Sequence, residues 1–186
     1  MAPTLHSSGK HPGPREGNPM KSSLVLVREL GPGDAEVVDV VFAGLSPRSR
    51  YLRFQFPIGE LSAATRRSLT AVDGHAHVAL AAFASGRPVG IVRIFDLGNR
   101  RGELAVEVVD HWQGRGVGTQ LLQAARDRAV AMGYRELVGE LLVVNTAVVA
   151  VLRRVFPVTR VRRDGSELTI TLVLEHASLP AESLVA

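Results

Sequence analysis

The stretch that most restricts this chain is Gln113-Gly114-Arg115-Gly116-Val117-Gly118-Thr119, set between a strand-like run and a long helical pattern. Glycines at alternate positions permit positive φ and let the backbone approach a ligand closely. The N–H groups of a helix's first turn have no internal acceptor, and the helix dipole is positive there. A glycine turn leading into a helix is therefore an anion site. Arg115 adds a formal charge at the same place. The same residues also read, more simply, as a glycine-rich turn with a helix cap. Two phosphate motifs do not fit. A Walker loop requires a lysine after its last glycine, and this chain has lysine only at 10 and 21. The dinucleotide fingerprint requires Gly-x-Gly-x-x-Gly, whereas the glycines here stand at 114, 116 and 118.

Around this segment the chain alternates in period. Leu24–Glu29 reads as a strand closed by Gly31-Pro32-Gly33, and Asp34 opens a helix to about Gly44. Ser46-Pro47 has the form of an N-cap followed by proline at the first helical position, giving a short helix over about Arg48–Arg53. A further amphipathic helix is expected over about Glu60–Val72. Strands follow at His77–Ala84, Val89–Phe95 and Glu103–Val109, then a helix from Val117 to about Met132. Arg135–Val144 is a strand and Asn145–Arg154 a helix stopped by Pro157. Two strands, Thr159–Arg163 and Glu167–Glu175, form a hairpin about Asp164-Gly165. The order predicts an α/β fold with a mixed, α+β type sheet rather than regular βα alternation. Residues 24–176 form one domain. Residues 1–23 hold four of the ten prolines and no apolar periodicity, and read as a disordered tail; 177–186 form a short second tail.

Composition narrows the function classes. With no cysteine there is no disulfide, thiolate metal site or cysteine nucleophile. No window reaches 18 consecutive apolar residues, so no membrane span is expected, nor is a secretory leader visible; a cytoplasmic location is the expectation. The formal charge is +4, half of it in residues 1–23, and aromatics make up 5%. That is too sparse for a basic, aromatic-studded nucleic-acid face. Arg153, Arg154, Arg160, Arg162 and Arg163 read as a solvated face or as one that meets an acidic partner. His75 and His77 are spaced for one strand face but lack a third ligand, so no metal is expected. His111 reads as a surface residue.

Gln-Gly-Arg-Gly-Val-Gly between strand 103–109 and helix 117–132, with Leu142-Val-Val-Asn145 and its following helix, resembles the two cofactor motifs of the GCN5-related N-acetyltransferases. The element order over 24–175 is similar to that fold: a central, mostly antiparallel twisted sheet of about seven strands flanked by helices. Ser46-x-x-Ser49-x-Tyr51-x-Arg53-Phe54, Thr70-x-x-Asp73 and Val78–Ala82 resemble, more narrowly, the acetyltransferase domain of bacterial protein lysine acetyltransferases. The nucleotide-binding or ligase-like domain joined to such enzymes has no counterpart in the sequence.

The resemblance implies acetyl-coenzyme A as donor. Its pyrophosphate would rest on Gln113, Gly114, Arg115, Gly116, Val117, Gly118 and Thr119, its pantetheine arm along Val108 and Val109, and Asn145 near the thioester. Asn145 also fits a helix N-cap. The acceptor implied is a primary amine, with a protein lysine favoured over a small amine; a sensor that binds acetyl-coenzyme A without turnover is the contrasting class. Deprotonating a lysine at neutral pH costs about 4–5 kcal/mol, which a general base offsets in part. Glu103 and Glu107 share one strand face by period two. Glu103 matches the family's position for the base and Glu107 is the second candidate. The family's tyrosine acid has no equivalent, since Leu152 stands there. The enzyme is expected as a monomer or homodimer.

Overall fold

The computed structural model describes residues 24–156 and 159–174, so the two tails lie outside the described residues. Seven strands form one open sheet in the order β1-β2-β3-β4-β5-β7-β6. They are β1 (Val25–Glu29), β2 (His77–Ala84), β3 (Arg87–Asp96), β4 (Arg101–Val108), β5 (Glu136–Leu142), β6 (Thr159–Asp164) and β7 (Glu167–Val173). The helices are α1 (Ala35–Ala43), α2 (Pro47–Phe54), α3 (Ala63–Thr70), α4 (Val117–Ala131) and α5 (Thr146–Val155). All neighbours pair antiparallel except β4 and β5, which the α4 crossover makes parallel.

Period-two alternation sends side chains to two cores. On one face Val78, Leu80, Val92, Ile94, Leu104, Leu137, Ile170 and Leu172 pack on Leu121, Leu122 and Ala125 of α4 and Leu152 and Val155 of α5. On the other face Ala79, Ala81 and Ile91 meet Val38 and Val41 of α1 and Leu69 of α3. Gly90 is required where α4 crosses β3: a Cβ there would lie 3.0 Å from Leu121 Cδ1 and 2.9 Å from Glu107 O.

Several boundaries differ from the sequence reading. The Ser46 cap is present, accepting from Ser49 N at 3.2 Å. The expected helix over Glu60–Val72 contracts to Ala63–Thr70 because Ser62 caps it, accepting from Thr65 N at 3.0 Å. Asp34 precedes α1 but does not cap it. Its carboxylate accepts from Gly31 N at 2.9 Å and pairs with Arg28 at 2.7 Å. β4 begins at Arg101 and stops at Val108, and β5 stops at Leu142.

Candidate active site

The site is built on an interrupted strand pair. β4 and β5 are paired only at Arg101↔Glu136, Gly102↔Leu137 and Glu103↔Val138; beyond that the strands part, while β4 stays paired to β3 up to Val108. Val109 N donates to Val89 O at 2.9 Å, so Val109 turns its peptide group toward β3. Strand alternation then turns the peptide groups of Val106 and Val108 toward the opening. Val109 itself lies past the end of β4, with its side chain buried beneath Gly44. Of the two residues expected to line a cofactor arm, the geometry therefore offers Val108. Val106 joins it, a residue that sequence reasoning passed over although counting back by two from Val108 would have found it.

At the mouth of the opening stands the glycine turn. Gly114 and Gly116 have φ of +70° and +83°, with open space where a Cβ would be. Gly116 occupies the N-cap of α4 and so supplies no capping side chain. The first intrahelical bond there runs from Gln120 N to Gly116 O, so the N–H groups of Val117, Gly118 and Thr119 precede it. Arg115 is exposed at this turn, its guanidinium 5.3 Å from the Trp112 ring centroid. Open glycines, unused helix-end donors and a free cation fit a pyrophosphate.

The Gln113 side chain turns inward. Its Nε2 donates to Val108 O at 3.0 Å and approaches Ser49 Oγ at 3.3 Å, tying the turn to the split end of β4 and to α2. Asp110 Oδ1 accepts from Ser46 N at 3.2 Å in the same cluster. Ser49, one of the residues of the narrower family likeness, thereby meets the turn. Asn145 sits at the N-cap of α5 without a capping side-chain bond, leaving its amide available to a ligand.

The two candidate carboxylates have opposite surroundings. Glu103 is exposed on the face away from α4 and is the last β4 residue paired to β5, so it stands where the opening begins. Glu107 is buried. One oxygen accepts from Arg93 and the other accepts from Arg53 Nε at 2.7 Å. Burial pushes its carboxyl up, but the two arginine charges and hydrogen bonds outweigh this and hold it below the ordinary range. It is a charge clamp joining β3, β4 and α2. Arg93 is fully buried with Nε and Nη2 unpartnered. Nothing in the strand pattern of residues 89–95 marked it, beyond a single charge inside an apolar run.

Other expectations resolve simply. Leu152 is core, so no phenol stands there. Tyr51 is exposed on α2, and Tyr134 is buried, with burial and then Asp96 raising its pKa. His77 is buried, stacked on Phe95 at 4.2 Å, with Nδ1 3.1 Å from Ala71 O; burial lowers its pKa. His75 lies in the preceding turn, so the two histidines do not share a strand. No group of three or more His, Asp or Glu among the described residues could hold a metal ion.

An open mixed sheet split between its parallel strands, with a glycine cradle at the mouth, defines the acyl-coenzyme A N-acyltransferase architecture. Residues 48–156, more than half of the chain, match the model of the acetyltransferase (GNAT) family, and the chain belongs to that family. The GNAT domain of S. lividans PAT is similar, at 26% identity and a TM-score of 0.74, over 84% of this chain and 99% of that one. A GNAT-family acetyltransferase from Streptococcus pneumoniae has 25% identity and a TM-score of 0.60, over 81% and 99%. Spermidine N-acetyltransferase from Vibrio cholerae, solved with CoA and spermine, shares the fold at 14% identity and a TM-score of 0.61, over 81% and 95%. No curated protein sequence matches. The protein is an acetyl-coenzyme A-dependent N-acetyltransferase acting on an amine. Among the described residues no helix is long and apolar enough to cross a membrane.

Proposed function

We propose that the acceptor is a lysine side chain of a protein and that Glu103 is the general base. The observation that carries this is the placement of Glu103: an exposed carboxylate at the point where β4 and β5 separate, on the face opposite α4. Acetyl-coenzyme A, when bound, supplies the thioester that the amine attacks. The N–H groups of Gly114 to Thr119 and the Arg115 guanidinium hold the pyrophosphate. The peptide groups of Val106 and Val108 hydrogen-bond the pantetheine arm as a missing strand would, and the Asn145 amide orients it. Gln113 keeps the end of β4 in place.

Glu103 takes the proton that the attacking amine must lose. For a lysine at neutral pH that loss costs about 4–5 kcal/mol, and a positioned base contributes about 10²–10⁴ in rate. Glu107 does not serve, because both its oxygens are engaged by arginines. The protein acceptor is favoured by the likeness to the S. lividans PAT domain and by the exposure of Glu103.

The test combines calorimetry with thiol release. Glu103→Gln should retain acetyl-coenzyme A affinity while kcat on a lysine peptide falls about 10²- to 10⁴-fold. Unchanged kcat removes Glu103 from the chemistry. Turnover of small amines without turnover of peptides or proteins removes the lysine assignment.

A further inference from the structure

Five arginines cluster late in the sequence, but the fold divides them. Arg153 and Arg154 end α5, and Arg163 donates from Nε to Gly165 O at 3.0 Å. Arg160 and Arg162 pair with Thr171 and Thr169, which alternate with the buried Ile170 and Leu172, and so lie on the opposite face of the sheet from α4, the face that carries Glu103. The pairing shows how they relate. Glu103 pairs with Val138, Val138 with Thr171, and Thr171 with Arg160, so Glu103 and Arg160 occupy one row across four strands. Three interstrand steps of about 4.8 Å separate them by about 14 Å. Arg162 stands in the next row, continuing Glu140↔Thr169↔Arg162.

Both arginines are exposed, on a strand that forms the outer edge of the sheet. Arg160 reaches Glu136 at 3.3 Å, a carboxylate that Arg101 also approaches at 3.5 Å. Arg162 has no carboxylate within salt-bridge distance among the described residues; Glu140, two strands inward, makes no ion pair with it. A fork of donors held on an edge strand matches a carboxylate in shape and charge.

We propose that Arg160 and Arg162 are specificity-determining residues that select lysines flanked by acidic residues. This rests on the lysine reading above. An extended acceptor advances about 3.3 Å per residue, so a span of about 14 Å is about four residues. The preferred acidic residue therefore lies about three to five positions from the lysine, on the side that runs toward β6. An exposed ion pair contributes a factor of about 1.4 to 5, so two of them give a preference of about two- to twenty-five-fold.

The experiment measures kcat/KM of the full chain on N-acetylated peptides with one central lysine and a single Glu, Ala or Arg placed at each position from six before to six after it. Glu at three to five positions on one side should raise kcat/KM about two- to twenty-five-fold over Ala, and 0.5 M salt should erase most of the gain. Arg162→Glu should reverse the preference toward Arg, and Arg160→Gln should weaken it, with the Ala peptide unaffected. Circular dichroism melts of both variants check that they remain folded. Equal rates on all peptides overturn the role of the arginines and leave the lysine reading standing. No turnover of any peptide, with acetyl-coenzyme A binding intact by calorimetry, overturns both.

Discussion

Replacing Glu107 by Gln tests whether the buried clamp is structural. The wild-type carboxylate is buried and engages a fully buried Arg93 and an Arg53 whose side chain is 17% exposed. Neutralising it leaves two cations facing each other across one amide. Arg93 already has Nε and Nη2 without partners, so it has no alternative acceptor among the described residues. Breaking one side of a buried ion pair costs about 3–5 kcal/mol, a large part of a domain's typical 5–15 kcal/mol. In a domain of this size each kcal/mol moves Tm by about 2–4 °C, so a fall of about 6–20 °C is expected. The assay is calorimetric melting of wild type, Glu107→Gln and the double variant Glu107→Leu/Arg93→Met. The double variant should recover part of the loss, since it removes the fully buried Arg93 charge together with the carboxylate, while Arg53 keeps some access to solvent. Because Glu107 is held below the ordinary carboxyl range, its contribution is present above about pH 4 and disappears as pH falls through its depressed folded value. A Tm change under 2 °C for Glu107→Gln would refute the reasoning, as would a double variant worse than the single. A large loss of kcat in the folded Glu107→Gln protein, exceeding that of Glu103→Gln, would move the base to Glu107.

The remaining predictions are briefer. Gly116→Ala puts a Cβ at a φ of +83°, costing about 1–2 kcal/mol of backbone strain without a clash; Tm by calorimetry should fall about 2–8 °C. Leu121→Ala, at a fully buried position in the larger core, should cost about 2–5 kcal/mol in denaturant unfolding. The Asp34 carboxyl, held to about 2 by hydrogen bonds from Arg28 and from Gly31 N, should return toward the ordinary value near 4 in Arg28→Ala. Carbon-detected NMR titration of the carboxyl reads this directly. Its stabilising effect is present above pH 4 and lost as pH falls through about 2.

The elements were legible because their periods are clean. The continuous apolar run of residues 78–84, the alternation of residues 167–173, the Ser46 cap and the Gly133 stop all express local physics, and each element stands within a few residues of its expected place. The glycine turn was legible because unbranched backbone is rare enough to be informative. Less visible was anything that depends on two distant strands. That β4 and β5 pair for three residues and then part is a property of the pair, set by how α4 carries the chain across, and neither strand encodes it alone. Val106 acquires its importance only from that split. Arg93 and Arg53, 40 positions apart, become one device with Glu107 only after β3, β4 and α2 meet. Glu103 and Glu107 are identical in type and share a face, yet one is open and the other locked, a difference that lies in their neighbours.

The short seam between β4 and β5 also links folding to metabolite supply. Past Glu103 and Val138 the middle of the sheet is a gap; Val108 O on its rim accepts from Gln113 Nε2, and the Val106 peptide group and Val108 N face the opening where a ligand enters. A ligand that binds the folded chain alone adds stability that grows with the logarithm of its free concentration, about 2.7 kcal/mol at a hundredfold excess over Kd. The population of opened molecules exposed to proteases then falls about a hundredfold as acetyl-coenzyme A rises to that level.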